Sequence, residues 1–202
     1  MIFYGASGHA KVVIEAWVTS GGKVTTIVDD NEKIKQLLDF PVEQYDPSKW
    51  TNHPMVISIG HNATRRRLVE SIKQQYGKVI HTHSLISKSA TIGEGTVIMA
   101  GAIINAEVKI GSHVIINTSA VVEHDCSVGN YAHISPNATL CGGVTVGEGA
   151  QVGAGATVIP GVAIGNWAVV GAGSVITQNV PDFSVVVGVP GKVVGNAKQS
   201  DS

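Results

Sequence analysis

"VGEGAQVGAGATV", residues 146–158, places an apolar residue at Val146, Val152 and Val158, with Ala150 and Ala156 four positions after the first two. Neither a strand period of two nor a helical period of 3.6 gives that spacing. The pattern extends in both directions as Ile86, Ile92, Ile98, Ile104, Ile110, Ile116, Val122, Val128, Ile134, Leu140, Val146, Val152, Val158, Ile164, Val170 and Ile176, sixteen hexads without a break. The residue four places later is small or β-branched throughout, as at Ala102, Ala120, Cys126, Ala132 and Ala138. A six-residue period is the signature of a parallel β-helix in which each hexad is one flat side. The apolar residue points inward and the small one fits near a corner, where glycine lets the backbone turn. Three hexads close a triangular coil, so sixteen predict about five coils, a prism roughly 25 Å tall at ~4.8 Å per coil.

The first 82 residues follow a different rule. "MIFYG" and "KVTTIVDD" read as strands and "HAKVVIEAWVTSGG" as a helix with a Gly-Gly stop. "PMVISIG" is a further strand, "NATRRRLVESIKQQYG" a helix capped by Asn62 and ended by Gly77, and "KVIHTH" one more strand. This order predicts an α/β domain over 1–82 with a small Rossmann-like parallel sheet, followed by the β-helix and a tail over 83–202.

Composition narrows the function. The net charge is −1, and the triplet Arg65-Arg66-Arg67 reads as a helix face, so no nucleic-acid partner is expected. No stretch reaches the ~20 apolar residues of a membrane span, and the N-terminus lacks signal-peptide features. Two cysteines, Cys126 and Cys141, exclude a disulfide framework and predict a cytoplasmic enzyme.

"VVEHDCSVGN", 121–130, concentrates chemistry: His124 lies between Glu123 and Asp125, two residues before Cys126. The hexad register puts Val122 and Cys126 inside and His124 outside. Cys126 is therefore a packing residue, and no zinc-like pairing of ligands accompanies it or Cys141, so no metal is expected. An outward histidine flanked by acids is a candidate base. Gly142 of "CGG" falls eighteen residues, one coil, beyond His124. Gly5 and Gly8 in "YGASGHAKVV" lie between a strand and a helix, where backbone N–H groups and the helix N-terminus can hold a phosphate. Asp29 and Asp30 end the second strand, where an acid can bond a ribose hydroxyl or a base N–H. Asn62 and Arg65 in "IGHNATRR" close the same crevice; each of these four also fits a cap or a surface charge.

From "FYGASGHAKVV" through "EHDC" and the hexads to "VVVGVPGKVVG", nearly the whole chain resembles the left-handed β-helix acyltransferases. It is most similar to the bacterial sugar acetyltransferases that N-acetylate a UDP-linked amino-deoxysugar of the bacillosamine pathway, with sialic acid O-acetyltransferases as near relatives. The resemblance implies acetyl-CoA as donor, direct transfer without a covalent intermediate, and a homotrimer with the cofactor between neighbouring prisms. It makes His124 the general base, Asp125 its orienting acid with Glu123 as the alternative, and Gly142 the amide that binds the acetyl oxygen. Family members often carry Glu where Asp125 stands. His133, Ala154, Gly155, Ala172 and Lys192 take positions that contact the cofactor. Ser7, Gly8 and His9 take those that contact the nucleotide-sugar, with Asp29, Asp30, Asn62 and Arg65 beside them. His81, His83 and His113 are expected in surface or joint packing. Sialic acid O-acetylation is the second expectation, and a non-enzymatic repeat scaffold the third.

Overall fold

The computed structural model describes residues 1–50 and 52–197. β1 (Ile2–Tyr4), β2 (Thr26–Val28) and β5 (Met55–Ile57) are short, wholly buried strands paired in parallel, with β1 in the centre. Helix α1 (Gly8–Thr19) crosses over from β1 and buries Ala10, Val13 and Ile14. Two further strands, β3 (Gln36–Leu37) and β4 (Phe40–Glu43), extend the sheet to the order β3-β4-β2-β1-β5, with β3 antiparallel. The sequence pattern does not announce them, because neither has an alternating apolar face. Helix α2 (Asn62–Ser71) starts one residue earlier in its cap than expected: His61, not Asn62, is the N-cap, and its side chain accepts from Thr64 N. It ends at Ser71 rather than Gly77, since Ile72 turns into extended backbone and joins the apolar cluster around Met55 and Ile57.

Beyond it the chain winds into a three-faced parallel β-helix built of two-residue strands. The first face runs from Leu85–Ile86 through Ile103–Ile104, Val121–Val122, Thr139–Leu140 and Thr157–Val158 to Val175–Ile176. The second runs from Thr91–Ile92 to Ala163–Ile164. The third begins with β6 (Val79–Ile80), continues from Val97–Ile98 to Val169–Val170, and is closed by Ser184–Val187 and the antiparallel Lys192–Asn196. Among the described residues the faces therefore hold six, five and eight strands, and the stack is taller than the expected five coils. The excess lies on the third face. β6, expected to join the N-terminal sheet, pairs instead with Val97–Ile98 at its base, and the terminal hairpin caps its top.

The registry is eighteen residues from Val79↔Val97 to Val158↔Ile176, as in Val122↔Leu140 and Val128↔Val146, and shortens to sixteen where Val169 pairs with Val185. One core column holds the hexad residues Ile98 to Ile176 and the small residues Ala102 to Val180, essentially without solvent contact. From Gly95 to Gly173 the residue before each small one turns left-handed: Gly95, Gly101, Glu107, His113, Ser119, Asp125, Tyr131, Asn137, Gly143, Gly149, Gly155, Gly161, Trp167 and Gly173 have φ between 55° and 74°. We call the edges between first and second, second and third, and third and first faces the first, second and third corners. The N-terminal domain sits on the third face and second corner. Val79, Val97 and Met99 of the prism share an apolar cluster with Phe3, Ala10, Val13 and Ile14.

Burial of this kind predicts an asymmetry. Ile134→Ala, in the column, should lower unfolding free energy by about 2–5 kcal/mol. Gln151→Ala, exposed on the same face, should stay within about 0.5 kcal/mol. Urea titration of the two variants distinguishes them.

Candidate active site

The first corner presents His124 and Asp125 to solvent, with side chains 63% and 65% exposed. His124 Nδ1 lies 2.7 Å from Asp125 Oδ2. A carboxylate only accepts, so Nδ1 donates, and in the neutral imidazole the lone pair is then on Nε2. Asp125 reaches its neighbour because its backbone is left-handed, φ 59°. Glu123 is directed elsewhere and accepts from Asn105 Nδ2 at 2.8 Å. Asp125, with its shorter side chain, has the reach that was needed.

One coil on, Gly142 faces the imidazole. A Cβ there would lie 2.6 Å from His124 Cε1 and 2.8 Å from Nε2. Gly142 has no positive φ, so the absent side chain serves the close approach rather than the turn. Gly143 N donates to His124 O at 2.9 Å and fixes the two coils against each other. The Gly142 N–H itself donates to no backbone acceptor among the described residues. The Gly142 N–H and the His124 imidazole thus both belong to the first corner, one coil apart. Cys126 is buried with its Sγ on Cys141 O at 3.1 Å, and burial raises its thiol pKa, which suits packing and not nucleophilic attack. Among the described residues no three His, Cys, Asp or Glu side chains converge as metal ligands.

The other expected residues are distributed over two more regions. Ala154 and Ala172 are one coil apart on the third corner, and their N–H groups also donate to no backbone acceptor among the described residues. Gly155 turns beside them at φ 66°, and Lys192 is exposed on the closing hairpin. His133 is on the third face, where Nε2 lies 3.0 Å from Asn117 Nδ2. Its ring is 6.2 Å from that of His9, so it faces the N-terminal loop.

In that loop, Ser7 and Gly8 are exposed at the start of α1, and the Ser7 side chain makes no cap bond. Asp29 is a support: its two oxygens accept from Ala6 N at 2.7 Å and Asn31 N at 2.8 Å. Asp30 accepts from Tyr4 Oη at 2.5 Å. Asn62 and Arg65 are not open to a ligand as expected. Asn62 is 7% and Arg65 1% exposed, because both clamp α2 onto the second corner. Asn62 Nδ2 donates to Gly149 O, and Arg65 donates to His113 O and Tyr131 O. His113 is buried there too, stacked on Tyr131 with centroids 5.5 Å apart. The joint was invisible in sequence: its acceptors are backbone carbonyls, which carry no residue code.

Burial, with the Arg65 charge second, holds His9 and His113 down to about 4 and His133 to about 3. The unfolded chain, with ordinary imidazoles near 6.5, binds more protons below that pH. The joint's contribution is therefore whole above about pH 6.5 and is lost progressively as pH falls towards about 4. Calorimetric Tm should drop over that window, and His113→Asn, which tolerates the left-handed turn, should flatten the drop; a flat wild-type profile would contradict it.

Residues 1–72 match the family described as the PglD N-terminal domain. Residues 89–124, 107–142 and 143–178 match the bacterial transferase hexapeptide family. No curated protein matches. PerB from Caulobacter crescentus, solved with CoA and GDP-perosamine, is 40% identical over 96% of both chains, with a TM-score of 0.91. The acetyltransferase domain of PglB from Neisseria gonorrhoeae is 33% identical over 96% of this chain and 98% of that one, with a TM-score of 0.88. WeeI from Acinetobacter baumannii is 30% identical with the same coverage and TM-score.

Proposed function

Since this chain belongs to the left-handed β-helix, hexapeptide-repeat sugar acetyltransferases and is an acyltransferase, we propose that it N-acetylates a 4-amino-dideoxysugar carried on UDP. Acetyl-CoA is the donor. The observation that carries the reading is the first corner: an imidazole held through Nδ1 by Asp125 and packed against Gly142, whose N–H donates to no backbone acceptor among the described residues. The sugar amine attacks the thioester carbon, and His124 Nε2 takes the proton that the forming C–N bond displaces. Asp125 accepts Nδ1–H and steadies the imidazolium. The Gly142 N–H receives the oxyanion of the tetrahedral intermediate. As the C–S bond breaks, the proton on Nε2 passes to the CoA thiolate. One relative is solved with GDP-perosamine, which supports a second reading in which the nucleotide is GDP.

The division of labour assigns the nucleotide-sugar to residues 1–82, through Ser7, Gly8 and His9 with Asp29 and Asp30 beneath them. It assigns acetyl-CoA to 83–202, through Ala154, Gly155, Ala172 and Lys192, and His133 to the region where the two substrates approach. These groups lie on different corners of one prism, which supports a site shared between copies in a homotrimer. The first face supports it too: its strands turn apolar residues outward, Leu85 exposed and Ile103, Val121 and Val175 half-buried. The unpaired thiols suit the cytoplasm, and among the described residues no helix is long and apolar enough to cross a membrane.

A free-thiol assay with acetyl-CoA tests the function on UDP- and GDP-linked 4-amino-4,6-dideoxysugars and free sialic acid. Thiol release with the UDP-sugar, reduced about 10²–10⁴-fold in His124→Ala, is expected. Release with sialic acid alone would overturn N-acetylation. Gly142→Ala should cost about 10²-fold in kcat with little change in Tm, because its Cβ displaces only an exposed imidazole. Sedimentation should give three times the 21.0 kDa chain mass, and Val121→Glu should dissociate the trimer and abolish turnover.

A further inference from the structure

Arg65 is a buried cation without an anion. It is 1% exposed, and its acceptors are six neutral oxygens: His113 O, Ile59 O, Gly60 O, Asn62 Oδ1, Tyr131 O and, most distantly at 3.5 Å, Ala132 O. Burying a charge in this way is costly unless every donor is met. An apolar side chain would avoid the buried charge but leave these carbonyls without their donor, so the role of the arginine lies in which segments its donors join.

What the guanidinium does is join three segments at once. Nε bonds His113 O at 2.8 Å and Nη2 bonds Tyr131 O at 2.6 Å, one coil apart on the second corner. Left-handed turn residues there offer carbonyls that accept no backbone N–H among the described residues. His113, Tyr131 and Gly149 thus form a column of open acceptors, and Asn62 Nδ2 takes the third at 3.0 Å. Nη1 meanwhile holds Ile59 O at 3.0 Å and Gly60 O at 3.2 Å. That segment is the wall of the Gly5–His9 loop. A Cβ on Gly5 would lie 2.7 Å from Ile59 Cγ1, and one on Gly60 would lie 3.6 Å from His9 Cγ. A planar fork can span such a set; an ammonium cannot.

We infer that Arg65 is a positioning residue for the nucleotide-sugar: it sets the Gly5–His9 loop at a fixed distance from the prism without touching substrate. This rests on the nucleotide-sugar reading above. Of the other joint contacts, Arg66 on Glu148 at 3.3 Å and over Trp167 at 5.6 Å is exposed and leaves the loop wall untouched, whereas His133 meets the loop through His9, ring to ring at 6.2 Å.

Two measurements test it on the full chain. In steady-state kinetics, Arg65→Gln should raise KM for the nucleotide-sugar by about tenfold or more, with KM for acetyl-CoA held within about threefold. Arg65→Lys, which keeps the charge but not the fork, should fall between Arg65→Gln and wild type and provides the second variant if Arg65→Gln fails to fold. A lowered Tm with both KM values unchanged, or both raised together, would overturn the inference. Amide hydrogen exchange provides a readout independent of the acceptor: in Arg65→Gln, or in Arg65→Lys if the former does not fold, segments 5–9 and 59–64 should exchange faster while 97–176 keeps its protection. If wild type acetylates none of the sugars, the acceptor reading falls, yet unchanged exchange over 5–9 in the variant would still overturn the clamp and faster exchange there would sustain it.

Discussion

Once in every hexad the backbone must enter the left-handed region, and the architecture depends on that turn. It costs a non-glycine residue roughly 1–2 kcal/mol, and it recurs from Gly95 to Gly173 at every sixth position. What offsets it is the column of Val, Ile, Leu and Ala side chains that the turns bring together inside the prism. Each turn also leaves its carbonyl outside the coil-to-coil hydrogen-bond ladder. The strain that closes the triangle therefore produces rows of unpaired acceptors along its edges. Helix α2 uses one such row to fasten the N-terminal domain, so domain docking is a by-product of how the prism turns its corners.

This explains what could be read from residues alone. The six-residue apolar rhythm is a side-chain property, and it placed Cys126 inside, His124 outside and Gly142 one coil above. Each position follows from counting, and each is where the structure puts it. The N-terminal joint depends on backbone groups, and there counting fails. Asn62 and Arg65 read as crevice residues because a polar residue after a strand end commonly faces ligand; the free carbonyls of His113, Tyr131 and Gly149 drew them inward instead. β6 has the composition of a sheet strand either way, and only the eighteen-residue registry with Val97 shows which sheet it belongs to. β3 and β4 are too short and too exposed to leave a periodic signal.

The corners also separate functions that a single pocket would otherwise combine. His124 and Gly142 share the first, the docked domain occupies the second, and the open N–H groups of Ala154 and Ala172 lie on the third. A prism with identical coils gives each corner the same backbone, so chemistry enters only through the side chains attached there. The proposed trimer follows from this separation: on that reading each cleft is walled by two prisms, each offering a different corner.

Which side chains occupy strained turns is informative in its own right. Glycine holds the turn where nothing else is asked of it, as at Gly161 and Gly173, around which a Cβ would meet open space. Where a side chain takes the strain instead, four of the cases have an evident contact. Asp125 bonds His124, His113 and Tyr131 stack at the joint, and Trp167 lies beneath Arg66. Aspartate tolerates the left-handed region better than most residues, and from that backbone its carboxylate reaches the neighbouring imidazole. A glycine at 125 would relax the turn and leave His124 without its orienting acid. A glutamate would keep an acid at a greater length and a greater conformational cost. The same local choice, repeated around the prism, separates turns that only close the coil from turns that hold a group in place.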